Sequence, residues 1–383
     1  MRDVIESVAK WISQGSTFAL ATVVSTSKSA PRPAGASMAV SADGEAVGSV
    51  SGGCVEGAVY QIAQEVIENG VPVLQRFGFS DNDALAVGLT CGGIIDVYIE
   101  RITVDDFALV NDIIHDIQVG KAVATATVID HPNLAVLGRR LLVWSDATRG
   151  SLGDAKLDNA VSDDAQGLLA SGETGVLLYG QHGERMETGT KVFISSYQPN
   201  PRMIIFGAID FAAAVAKAGA LVGFHVTVCD ARRVFATRAR FPAAHEVIVS
   251  WPHVYLQQEV DNMAIDNRTV ICVLTHDPKF DVPVLDIALR LEGNVKPAYI
   301  GAMGSRKTHD DRTRRLYESG LVKQQLDELH SPIGLDLGGR TPEETAISIL
   351  AEIISKRWHG TGHPLRDTSR PVHSHGFNGN VSG

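Results

Sequence analysis

Met203-Ile-Ile-Phe-Gly-Ala-Ile-Asp210 decides the fold of this 383-residue chain. A strand-like apolar run ends at Gly207, and a helical pattern follows from Phe211 to Lys217, expected to stop at Gly219. A second strand, His225 to Cys229, closes at Asp230. Strand, glycine turn, helix, strand and terminal acid make a βαβ unit. Further strands read at Glu246 to Val249, Thr269 to Leu274 and Ala298 to Ile300, with helices between them that include Val282 to Glu292. This alternation predicts an α/β, Rossmann-like domain built on a doubly wound parallel sheet.

The βαβ unit invites a dinucleotide reading, G-x-G-x-x-G/A, against which the chain offers Gly207-Ala-Ile-Asp-Phe-Ala212. Gly207 and Ala212 fit. Ile209 stands where a bare backbone would approach a pyrophosphate, and Asp210 is expected to cap the helix while repelling phosphate. Asp230 sits where a ribose hydroxyl could bind. The fold is therefore better supported than NAD(P) binding. A second turn, Tyr299-Ile-Gly-Ala-Met-Gly-Ser-Arg-Lys307, is more intact. Gly301, Gly304 and Ser305 could cradle an anion that Arg306 and Lys307 neutralise; the alternative is a tight turn with solvated basic residues. In Thr275-His-Asp-Pro-Lys-Phe-Asp281, His276 and Asp277 could orient a ligand at the strand ends or cap the loop. Pro332-Ile-Gly-Leu-Asp-Leu-Gly338 could form another wall, or Asp336 within it could simply satisfy a turn.

Upstream lies the stretch richest in chemistry, Gly48-Ser-Val-Ser-Gly-Gly-Cys-Val-Glu-Gly57. Glycines let several N–H groups point one way, and the apolar stripe from Val55 to Ile67 predicts a helix beginning near Cys54. Loop and helix N-terminus together suit an anion, and a cysteine placed there has its thiolate favoured. Glu56 either hydrogen-bonds a ligand or stabilises the first helical turn. Gly88-Leu-Thr-Cys-Gly-Gly93 repeats the theme with Cys91 and Gly92 before a strand, Ile94 to Ile99. Cys54 and Cys91 are thus candidate metal or sulfur ligands. Cys229 and Cys272 lie in strand-like runs and read as core.

The organisation predicted is an N-terminal mixed α+β domain over 1–118 bearing the glycine–cysteine loops. A β-rich middle segment, 119–198, packs with it, the Rossmann-like domain follows over 199–356, and a Gly-, His- and Pro-rich tail over 357–383 is expected to be flexible. Within the middle segment the polar stretch Asp146 to Asp164 is left without an element. A net charge of −10 without a long basic run argues against nucleic acid as the main partner. No apolar run is long enough to span a bilayer, and charges interrupt the first fifteen residues as they would not in a signal peptide. Four cysteines without close pairing do not suggest a disulfide scaffold, so a soluble, cytoplasmic protein is expected.

Taken together, SGGCVEG, LTCGG, APRPAGA, THDPKFD, YIGAMGSRK and PIGLDLGGRTPEE resemble the XdhC/CoxI family over about residues 15 to 355. The resemblance implies an accessory factor for molybdenum hydroxylases such as xanthine dehydrogenase. Such a factor binds the molybdenum–pyranopterin cofactor (molybdopterin), protects it during sulfuration and delivers it to the apoenzyme. It also implies a possible cysteine desulfurase partner and a homodimer. On it, Cys54 and Cys91 match the family cysteines, and Ser51, Gly52, Gly53 and Glu56 match the loop around the first. Relatives commonly read G-A-G-H where this chain has Gly207-Ala-Ile-Asp210. The competing functions are an NAD(P)-dependent oxidoreductase and a thiol redox or sulfur-transfer protein.

Overall fold

In chain order, the N-terminal half forms α1 (Ile5–Ser13), β1 (Phe18–Ser27), β2 (Ser37–Ser41), β3 (Ala46–Gly48) and α2 (Glu56–Asn69). It continues with β4 (Val73–Phe77), β5 (Ile94–Ile102), α3 (Phe107–Val119), β6 (Val123–Asp130) and β7 (Arg140–Val143). It ends with β8 (Thr148–Gly150), α4 (Ala155–Ser171), β9 (Gly175–Tyr179) and β10 (Thr190–Tyr197). This computed structural model describes residues 1–27, 30–78, 93–185 and 187–368, and the chain divides into two units, Met1–Pro199 and Asn200–Asp367.

The first unit has two antiparallel sheets, ordered β3-β2-β1-β5-β4 and β8-β7-β6-β10-β9. Period-two alternation sorts their side chains. On β1, Ala19, Ala21 and Val23 pack under α2 with Val59, Ala63 and Val66. Phe18 and Leu20 point the other way, into a cluster that includes Val123 and Leu142 of the second sheet. On β6, Ala124, Ala126 and Val128 pack under α4 against Leu157, Val161 and Ala165. The result is helix, sheet, sheet, helix. The polar stretch Asp146 to Asp164 therefore has structure: it supplies β8 and the start of α4, whose N-cap is Asp154. Its apolar positions recur every four residues but are diluted by charged neighbours.

The second unit contains β11 (Arg202–Phe206), α5 (Asp210–Leu221), β12 (His225–Asp230), β13 (Glu246–Val249), α6 (Pro252–Asp261) and β14 (Val270–Val273). After these come α7 (Pro278–Leu289), β15 (Tyr299–Ala302), α8 (Arg306–Glu318), α9 (Lys323–Leu326), β16 (Leu329–His330) and α10 (Pro342–Arg357). All six strands are parallel, in the order β13-β12-β11-β14-β15-β16. That is the doubly wound order of a Rossmann sheet. Residues of α5 and α10 pack on one face, and residues of α6, α7 and α8 on the other. Thr341 and Glu344 close the capping box that opens α10.

Two local expectations are corrected. Gly219 does not stop α5. It lies buried inside the helix, and a Cβ there would come 2.6 Å from the Met203 sulfur, so the glycine lets α5 approach β11. Gly301 is not in the turn but inside β15, where a Cβ would meet Ile333 at 2.6 Å. Cys229 and Cys272 are fully buried, as core thiols should be. Among the described residues no helix is long and apolar enough to cross a membrane.

Candidate functional site

The cysteine loop is wound around one carboxylate. Glu56, the first residue of α2, accepts hydrogen bonds from the amides of Val50 (3.2 Å), Ser51 (2.8 Å), Gly53 (2.9 Å) and Val55 (3.2 Å). The hydroxyls of Ser49 (2.6 Å) and Ser51 (2.5 Å) donate to it as well. The remaining two amides, of Gly52 and Cys54, donate to the oxygens of Ser49 and Ser51 at 2.9 Å each. Gly52 and Gly53 take φ of +76° and +115°, the left-handed geometry that turns these amides inward. Every amide from Val50 to Val55 is thereby engaged within the loop. The sequence suggests an anion cradle, and the anion it holds here is the chain's own Glu56.

Burial alone would raise the Glu56 pKa, but the hydroxyls of Ser49 and Ser51 and the Ser51 amide outweigh it and bring the carboxyl down to about 2. A folded-state value below the ordinary 4.5 contributes stability that is complete above 4.5 and is lost as pH falls towards 2. Glu56→Gln should cost about 1–2 kcal/mol at neutral pH, the scale of charge-assisted hydrogen bonds discounted for solvent screening. Denaturant titrations of both proteins from pH 7 to pH 3 would check this. The stability difference should shrink below pH 4.5, and a pH-independent difference would defeat the account.

Cys54 is half-buried on this loop and packs against the core under α2. The Ser51 hydroxyl oxygen holds the Cys54 amide, so the backbone that carries the thiol is fixed. Cys91 and Gly92 lie outside the described residues. No group of three or more His, Cys, Asp or Glu side chains among the described residues is arranged to hold a metal ion.

The second locus is the carboxyl edge of the parallel sheet. Gly207 has φ +114°, and a Cβ there would lie 3.0 Å from the Thr275 nitrogen, so glycine is what lets the turn after β11 lie against the chain leaving β14. Ile209, not Asp210, is the N-cap residue of α5, and its side chain packs into the core. Asp210 is exposed and pairs with Arg240 at 3.0 Å. The cap reading fails because a distant arginine takes the carboxylate. Asp230 is buried and accepts from the Ala208 amide (2.7 Å), the Arg232 amide (2.8 Å) and the Arg232 guanidinium (2.9 and 2.7 Å). Burial pushes its pKa up, and these donors more than reverse the effect. Asp230 welds the loops after β11 and β12.

At the neighbouring strand ends, Asp277 caps α7 through the Lys279 amide (3.1 Å) and pairs with the Lys279 ammonium, while His276 is exposed. Ser305 caps α8, accepting from the Thr308 amide at 3.2 Å, with Gly304 before it and exposed Arg306 and Lys307 after it. Asp336 is exposed. Beneath this rim lies a buried network that sequence reasoning missed. Arg312 of α8 donates to Asp281 of α7 (2.9 Å), the Met303 carbonyl (2.8 Å) and the Ser331 hydroxyl (3.1 Å), and Thr275 donates to Asp281. One signal was available: Arg312 falls four residues before Leu316 on the buried face of α8, an arginine in a core position.

The comparisons agree with this architecture. The XdhC Rossmann domain model matches residues 203–353, and the XdhC and CoxI family model matches 11–78 and 117–180. A Bacillus subtilis protein described as a probable xanthine dehydrogenase subunit is 31% identical over 343 residues, covering 88% of this chain and 92% of that protein. The chain belongs to the XdhC and CoxI family. A second relative is PaoD of Escherichia coli, described as a molybdenum cofactor insertion chaperone. It is 27% identical over 358 residues, covering 94% of this chain and 89% of its own. A crystal structure described as a xanthine dehydrogenase from Bacillus halodurans shares the fold. Its TM-score is 0.69, at 24% identity, over 95% of this chain and 98% of that one.

Proposed function

We propose that this chain is a molybdenum cofactor-binding chaperone that protects the cofactor and delivers it, sulfurated, to a molybdenum hydroxylase apoenzyme of the xanthine dehydrogenase type. The observation that carries the reading is the Cys54 loop. A soft sulfur donor is held on backbone that Glu56, Ser49 and Ser51 lock in place. Rigid support of this kind is what a ligand site requires, and a thiolate suits molybdenum or transferred sulfur. Glu56 acts here by positioning the loop, since its oxygens are occupied. Cys91 is the second sulfur of the proposal on sequence grounds alone. In the second unit, considered by itself, exposed Arg306 and Lys307 beside Ser305 offer positive charge to an anion. A cysteine desulfurase that supplies the sulfur, and a second copy of the chain, are the other partners in this cytoplasmic role. An NAD(P)-dependent oxidoreductase is disfavoured: a ribose would have to displace Ala208 and Arg232 from Asp230.

The test is anaerobic mixing of the purified chain with cofactor released from a molybdoenzyme, followed by assay of co-eluting molybdenum and oxidised pterin. The expected result is retention by the wild type and by Cys229→Ser. Cys54→Ser should retain about tenfold less or lower, the effect of losing about 1.4 kcal/mol of binding. Equal retention by both variants removes Cys54 from the site, and no retention by the wild type overturns the chaperone reading.

A further inference from the structure

The amino edge of the parallel sheet carries a cavity that the preceding sites do not use. It encloses about 210 Å³ in the second unit, at the start of β14 and β15. Phe224, Val270, Tyr299 and Ile353 give it apolar walls, while Arg268, Lys356 and Arg357 line its mouth. The three cations are unevenly matched. Arg268 is anchored on Asp266, its nitrogens 3.1 and 3.2 Å from one carboxylate oxygen. Arg357 lies over the rings of Phe224 (5.9 Å) and Trp358 (5.1 Å), and no carboxylate among the described residues is in ion-pair contact with it or with Lys356. Desolvation lowers the Arg357 pKa, and the charge of Arg268 lowers it further. Lys356 and Arg357 are exposed at the cavity, so their positive charge is available to an anion that enters it.

We propose that this cavity binds a small anion carrying one planar ring, of the aryl phosphate or aryl carboxylate class. An apolar cavity of about 150 Å³ holds a benzene ring, so this one has room for a ring and an acidic group at its mouth. The walls take the ring, Tyr299 and Phe224 offering aromatic surface. Arg357 and Lys356 take the charge, with Arg268 fixed beside them by Asp266. The competing explanation is that Lys356 and Arg357 only complement the carboxyl end of the α10 dipole. That role needs no ligand and predicts no response to one.

The proposal is independent of the cofactor reading and uses different probes. Phenyl phosphate, inorganic phosphate and phenol would be titrated calorimetrically into the full chain, with Arg357→Gln and Lys356→Gln as variants. Both replaced side chains are exposed, and circular dichroism would check that the variants remain folded. The expected result is saturable binding of phenyl phosphate, tighter than of phosphate or phenol, and weakened about tenfold by Arg357→Gln through loss of a charge-assisted contact. No saturable binding of phenyl phosphate overturns the proposal. So does affinity unchanged in both variants, or phosphate alone binding as tightly as its phenyl ester.

Discussion

Arg140→Met is expected to destabilise the first unit by about 3–5 kcal/mol, because it strands a carboxylate between two sheets. Arg140 on β7 and Glu100 on β5 form an ion pair with side chains only 7% and 9% exposed. Around them the intersheet space is lined by Thr22, Tyr98, Thr125, Thr127 and Ser195, a polar seam in an otherwise apolar sandwich. The Tyr98 hydroxyl has no hydrogen-bond partner among the described residues, so a lone Glu100 would have neutral hydroxyls to turn to but no countercharge. Removing both charges should be far milder. The double variant Glu100→Gln/Arg140→Met is expected to lose less than the two single variants combined, with a coupling energy of about 2–3 kcal/mol. Equilibrium denaturation of the four proteins checks this. A single variant within about 0.5 kcal/mol of wild type, the range of ordinary surface changes, would show that water reaches the pair.

The sheet of the second unit was legible because its signals are local. Met203 to Phe206, the helix after Gly207 and the strand ending at Asp230 lie within thirty residues and punctuate themselves. The partners of Glu100 and Arg140 were not legible. Each charge sits in a run that reads as strand, and only the stacking of two sheets brings together residues forty positions apart. Asp210 fails for the same reason: a helix-start acid reads as a cap until Arg240, thirty residues on, takes its carboxylate. The α4 segment was obscured by composition, since Leu157, Val161, Ala165 and Leu169 keep helical spacing but sit among aspartates. The cysteine loop lies between these cases. Its glycines announce a turn that gathers amides, yet the group they gather around is Glu56, only a few residues away. Composition can show that a loop is built to hold an anion, but which anion it holds depends on backbone torsions.

The buried network under the strand-end rim should be as sensitive as the intersheet pair, with a different consequence. Arg312→Ala is expected to cost the second unit about 3–5 kcal/mol, since Asp281 would lose its countercharge where both side chains are 3% exposed. Thr275 would remain as a partner of Asp281, but a hydroxyl cannot neutralise it. Arg312 also holds the Met303 carbonyl and the Ser331 hydroxyl, so its loss frees the loop after β15 together with the start of α7. Amide hydrogen exchange should therefore accelerate at 275–281 and 303–305 more than in β11, whose amides are held by two neighbouring strands. Lys279→Ala makes the comparison sharp. It removes an ion pair with Asp277 at the same rim, but those side chains are 60% and 46% exposed, and the expected cost is under about 1 kcal/mol. If the two variants proved equally mild, the rim would owe its shape to the backbone turns alone. If Arg312→Ala alone loosened the loops bearing His276 and Ser305, the geometry of the rim would depend on a charge pair beneath it.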